Sequence, residues 1–67
     1  MNDAFKRVAE KKIELGITWE ELARKARIGM SSWMCGVPYA KPKDEELKRI
    51  APVLGVTFEY LKNGEGQ

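Results

Sequence analysis

The sequence contains no histidine and only one cysteine, Cys35. A single cysteine cannot form a disulfide within the chain, and without histidine a structural zinc site lacks ligands. No apolar run approaches the roughly 18 residues that a transmembrane helix requires. The N-terminal residues also lack the apolar core of a signal peptide. We therefore expect a cytoplasmic protein with no metal, cofactor, membrane contact or small-molecule ligand.

The chain has 67 residues, which is close to the lower limit for one hydrophobic core. With no disulfide or metal available, helix packing must supply the stability, and dimerisation could add to it. We expect one domain over residues 1–63, followed by a flexible tail over residues 64–67. The compact ending favours a complete small protein.

The charges are unevenly distributed along the chain. No acidic residue lies between Glu21 and Asp44, whereas the remaining sequence carries all ten acids and seven bases. The acid-free run carries Arg24, Lys25, Arg27, Lys41 and Lys43. This pattern predicts a basic surface suited to a phosphate backbone. The alternative is ordinary solvated surface.

Apolar spacing predicts a first helix that Asn2 or Asp3 begins and Gly16 ends in a left-handed conformation. A second helix runs from Trp19 to about Ala26. Its capping box pairs Thr18 with Glu21. The first helix is expected to bury Phe5, Val8, Ala9 and Ile13.

Gly29 marks a sharp turn after the second helix. We expect a short third helix from about Met30 to Gly36, with Trp33 in the core. Val37 to Pro42 then forms an extended loop, in which Tyr39 lies over the core or contacts DNA.

A fourth helix is expected to begin at Asp44, where acids favour the helix dipole. Pro52 should kink it or end it near Ala51. A glycine, a threonine cap and a final helix from Phe58 to Lys62 complete the pattern.

This layout resembles the Xre and Cro family of lambda-repressor-like helix-turn-helix proteins. The resemblance rests on Leu22-Ala23, Ile28, Lys41-Pro42 and the segment from Leu47 to Leu61, with the helix-turn-helix at about residues 18–38. It implies an all-α, compact five-helix DNA-binding domain. It also implies a transcriptional regulator that binds double-stranded DNA as a small homodimer, of the phage or mobile-element repressor type.

The resemblance implies three sets of site residues. The residues implied to contact bases are Met30, Ser31, Met34 and Cys35. Those implied to contact phosphates are Trp19, Arg24, Arg27, Ser32, Lys41 and Lys43. Those implied to form the dimer interface are Phe58 and Tyr60. The base-contact set contains no Arg, Gln or Asn, so direct readout would be weak and specificity would depend on backbone contacts and DNA shape.

Two departures from the family pattern leave alternatives open. Trp19 occupies a position where the family usually has glutamine, so it either contacts phosphate or packs on the first helix or a dimer partner. A helix-turn-helix scaffold that binds protein, as an antirepressor, antitoxin or inhibitor, is the other alternative. It rests on an apolar surface patch of Met30, Met34, Cys35, Val37 and Trp19.

We do not expect an enzyme, because no histidine is present and Cys35 has no base nearby in sequence. A redox-sensing role for the Cys35 thiol is a further alternative.

Overall fold

The computed structural model describes residues 3–65. Within that range the chain forms four α-helices and no strand: α1 Asp3–Leu15, α2 Trp19–Ala26, α3 Asp44–Leu54 and α4 Phe58–Asn63. The described residues pack within 27 × 23 × 21 Å. The expected all-helical class is confirmed. The expected count of five helices is wrong, because no helix forms between α2 and α3.

All four helices contribute to one hydrophobic core. Contacts between helices join α2 to α3, α1 to α4, and α3 to both α4 and α1. Trp33, from the segment between α2 and α3, is also buried as expected. The largest fully buried side chains are Val8, Leu22, Leu47, Ile50 and Leu61.

The ends of the helices follow the sequence signals closely. The backbone N–H of Glu21 donates to the Thr18 hydroxyl at 3.1 Å, and that of Thr18 donates to the Glu21 carboxylate at 3.2 Å. This reciprocal pair is the expected capping box. Gly16, with a φ of 69°, follows α1 in the expected left-handed conformation. The expected cap Asn2 lies outside the described residues.

The long side chain of Arg7, from α1, caps the C-terminal end of α4. The Arg7 guanidinium donates to the backbone carbonyls of Leu61 and Lys62, both at 3.2 Å. These carbonyls lie in the last turn of a helix, where backbone acceptors lack donors within the helix. Arg7 therefore joins residues near the two ends of the chain.

Two expectations about helix interiors are wrong. Ile13 was expected in the buried stripe but is 71% exposed. It lies five residues beyond the buried Val8, which places it about 140° around the helix. Helix α3 continues past Pro52 to Leu54, so the expected end near Ala51 is wrong, whereas the alternative of a kink at Pro52 stays a prediction. Pro52 lies in the last turn of α3 and lacks one N–H donor there.

We predict that Ile13→Ala lowers the free energy of unfolding by less than about 0.5 kcal/mol, because the side chain is exposed. Ile50→Ala should lower it by about 2 to 4 kcal/mol, because Ile50 is fully buried. Urea denaturation of both variants measures the difference. Equal losses would contradict the placement of Ile13.

Candidate binding surface

The segment between α2 and α3 begins with a turn centred on Arg27. Arg27 has a φ of 60° and lies in the left-handed region. Its backbone N–H donates to Arg24 at 3.2 Å, and that of Ile28 donates to Ala23 at 3.0 Å. These bonds occupy carbonyls at the end of α2. The turn was expected at Gly29, but the positive φ belongs to Arg27.

Residues 32–36 form hydrogen-bonded turns instead of the expected third helix. The Cys35 N–H donates to the Ser31 carbonyl at 3.2 Å, and the Val37 N–H donates to the Ser32 carbonyl at 3.2 Å. Gly36 has a φ of 92° and ends this single turn. Adjacent serines, a left-handed glycine and a following proline all oppose further helix. The element expected to enter the major groove is therefore only about one turn long.

The carboxylate of Glu46 fixes this turn against the start of α3. One oxygen accepts from the Trp33 indole at 3.0 Å and from the Lys43 backbone N–H at 2.9 Å. The other oxygen accepts a hydrogen bond from the Ser31 hydroxyl. One side chain therefore connects the turn, the core tryptophan and the beginning of α3.

The hydrogen bonds of Glu46 also determine the net shift of its pKa. Partial burial raises the pKa. The bonds from Ser31, from the Lys43 backbone and from Trp33 lower it, as does the positive charge of Lys43. The lowering effects prevail, so the pKa lies below its ordinary value of 4.5.

The four residues expected to contact bases do not share one outward face. Met30 is 46% exposed, and Cys35 is an exposed free thiol. Met34 is only 5% exposed, so the expectation that it points outward is wrong. Met34 packs in the hydrophobic core, as does Trp33, the residue before it in the sequence. Ser31 is half-buried and its hydroxyl is bound to Glu46, so this group is engaged within the protein.

The residues expected to contact phosphate are mostly exposed. Ser32 is exposed. None of the five basic side chains in the acid-free run forms an ion pair with another described residue. All five of these basic residues are exposed, namely Arg24, Lys25, Arg27, Lys41 and Lys43.

A groove brings Arg27 and Lys43 together between the end of α2 and the start of α3. Arg49 also lines it, and its guanidinium donates to the Arg27 carbonyl at 3.3 Å. Glu46 and Arg49 were both missed as site residues. Glu46 stands three residues after Lys43, which is the capping-box spacing. No sequence signal connected Arg49 with the Arg27 carbonyl.

Trp19 packs in an aromatic cluster on α1. Its ring stacks on Phe5 at 5.6 Å between centroids and meets Trp33 edge to face at 5.8 Å. The Lys12 ammonium lies 5.0 Å from the Trp19 ring centroid. This geometry agrees with the packing alternative for Trp19.

The residues expected at a dimer interface are half-buried and contact lysines. The ammonium groups of Lys48 and Lys62 lie 5.3 and 5.6 Å from the Phe58 ring centroid. That of Lys11 lies 5.8 Å from the Tyr60 centroid. Both aromatic rings also pack against the core. Whether Phe58 and Tyr60 form a dimer interface stays a prediction.

The loop before α3 presents Tyr39 to solvent. Its side chain is 86% exposed, so the expected position over the core is wrong. Pro38 precedes it and limits the conformations of the neighbouring backbone. Tyr39 is therefore an exposed aromatic group within the acid-free run.

Within residues 3–65, no helix is both long and apolar enough to cross a bilayer. In the same range, no three or more cysteine, aspartate or glutamate side chains are grouped to hold a metal ion.

Comparison with known proteins found one informative similarity. The chain is 39% identical over 59 residues to a protein named cyanate hydratase from Aquifex aeolicus (strain VF5). The match covers 84% of this chain but only 38% of that protein. No family model and no solved structure matches the chain.

This similarity corrects one expectation from the sequence. We did not expect an enzyme, but the relative is named as one. The absence of histidine and of a base near Cys35 was therefore a poor guide. The absence of catalytic residue types was judged within this short chain alone. The protein named as an enzyme is more than twice as long as the portion that matches this chain.

We predict that Glu46→Ala lowers the free energy of unfolding by about 2 kcal/mol, because three donors lose their acceptor. Glu45→Ala is the matched control. It should cost less than about 0.5 kcal/mol, since its exposed carboxylate only pairs with Arg49. Urea denaturation at neutral pH measures both.

The pH dependence of the same variants gives a second readout. Because the pKa of Glu46 is lowered on folding, its contribution is present above pH 4.5 and is lost as pH falls through the folded pKa. The difference in stability between the native chain and Glu46→Ala should therefore shrink in acid. A difference that is independent of pH would contradict the network.

Proposed function

We propose that this chain is a helical protein-binding module of a cyanate-hydratase-type enzyme. The similarity to the Aquifex aeolicus protein supports this, because it extends over 84% of the chain and so includes most of its helical body. The matched part is 38% of that protein. On this proposal the chain takes part in cyanate hydration by docking within a larger assembly.

One structural observation favours protein binding over base reading. The turn at residues 32–36 buries Met34 and is held through Ser31 by Glu46, so half of the anticipated reading set faces inward. Met30 and Cys35 remain at the surface, whereas Met34 and Trp19, which were also expected in an apolar surface patch, pack in or against the core. Thioether and thiol groups suit an adaptable apolar contact and offer little discrimination among base edges.

A DNA-binding regulator of the Xre/Cro type, acting as a homodimer, is a second candidate. The observation that favours it is the acid-free run, whose five basic side chains are exposed and make no ion pair among the described residues. Such groups can contact phosphates without specifying a sequence. Phe58 and Tyr60 are the dimer contacts in this proposal.

Segment exchange tests the first candidate. We expect the Aquifex aeolicus enzyme without its matched segment to lose assembly and to consume cyanate at least about tenfold more slowly. Replacing that segment with this chain should restore both properties. Sedimentation and cyanate consumption are the measurements. A chimera no better than the truncated enzyme, or a truncated enzyme as active as the parent, would contradict the proposal.

Gel shifts at about 0.05 and 0.15 M salt test the second candidate. Lys41→Ala plus Lys43→Ala should weaken binding to all DNA sequences alike and reduce the salt slope by about 2. Lys6→Glu changes the net charge by the same amount at an exposed position outside the acid-free run and should change neither. Equal effects of this variant and of the Lys41, Lys43 double variant would count against DNA binding by this surface.

A further inference from the structure

The groove between α2 and α3 is a charged cavity with a volume of about 310 Å³. Three basic side chains, Arg27, Lys43 and Arg49, line it together with the carboxylates of Glu45 and Glu46. The basic residues come from three different places in the chain. Folding therefore places three cations and two carboxylates around one groove, which leaves a surplus of one positive charge.

The internal bonds leave two of these positive groups available. Glu46 accepts from Ser31, Trp33 and the Lys43 backbone, and Arg49 pairs with Glu45 at 3.5 Å. The Arg27 guanidinium and the Lys43 ammonium have no hydrogen bond or ion pair with any described residue. The positive charge of Lys43 already acts on the Glu46 carboxylate. An added anion would therefore meet Arg27 without an internal partner and would share Lys43 with Glu46.

We propose that this groove binds a carboxylate side chain from an acidic segment of a partner protein. The inference rests on the proposed protein-binding function and gives the partner's chemistry. A guanidinium offers a carboxylate two parallel donors, and an ammonium nearby adds a third charge-assisted bond. Arg27 and Lys43 supply these two groups.

The surroundings favour one carboxylate over a nucleic-acid backbone. Asp44 and Glu45 are exposed beside the groove, and Glu45 also lines it. Successive phosphates would bring several negative charges past these acids, whereas a single carboxylate brings only one.

The apolar neighbours of the groove indicate what should accompany the carboxylate. Ile28 lines the groove and is half-buried, and Met30 follows Gly29 at the surface. Both can contact an aliphatic side chain that adjoins the acid in the partner. The expected segment is therefore acidic with an apolar residue next to its carboxylate.

Nuclear magnetic resonance titration of the intact chain tests the proposal. The probe is the blocked peptide acetyl-Leu-Glu-Leu-amide, and its glutamine analogue is the control. The glutamate peptide should shift the side-chain N–H signals of Arg27 and Arg49 and the Gly29 amide in a saturable manner. The glutamine peptide should bind at least about tenfold more weakly, since it lacks the charge.

Matched variants locate the site. Arg27→Gln and Lys43→Gln should each weaken binding of the glutamate peptide about tenfold, whereas Arg24→Gln and Lys25→Gln should stay within about twofold. Each variant removes one positive charge from an exposed position in the acid-free run. Thermal unfolding of every variant checks that the fold persists.

Three results would overturn the inference. These are equal weakening by all four variants, equal binding of the two peptides, and stronger binding of inorganic phosphate or a 12-base-pair DNA duplex than of the glutamate peptide at the same groove. Peptide binding is independent of the segment exchange in the Aquifex aeolicus enzyme. An active chimera with no peptide binding would remove this inference and leave the proposed function in place.

Discussion

The carboxylate of Glu46 is the contact on which the candidate surface depends. It accepts hydrogen bonds from Ser31, Trp33 and the backbone of Lys43, which come from separate parts of the segment before α3. The turn at residues 32–36 is held by this side chain and by the buried Met34. The conformation of the surface around this turn therefore depends on contacts within the protein.

Much of the fold could be predicted because its signals are local. The capping box of Thr18 and the left-handed Gly16 follow from residue types at fixed spacing, and the structure has both. The burial of Trp33 was also expected from its neighbours. These features need only a few adjacent residues to be specified.

The remaining features depend on contacts between distant residues. Met34 was expected at the surface, but a one-turn segment held by Glu46 directs it into the core. The bond from Arg49 to the Arg27 carbonyl crosses 22 positions and has no signal in either neighbourhood. The similarity to a longer protein named cyanate hydratase was found by comparison and corresponds to no motif recognised in this chain. Local patterns therefore described the helices better than the site.

The most direct test of the Glu46 contact follows the nuclear magnetic resonance signals of the two tryptophan indole N–H protons as the pH is lowered. The Trp33 indole N–H donates to Glu46 at 3.0 Å, whereas the Trp19 indole donates no hydrogen bond to a described residue. As the pH falls through the lowered pKa of Glu46 in the folded protein, the Trp33 indole proton signal should move and the Trp19 signal should stay nearly fixed. Glu46→Gln should abolish that movement. A Trp33 signal that does not move, or that moves equally with that of Trp19, would contradict the account.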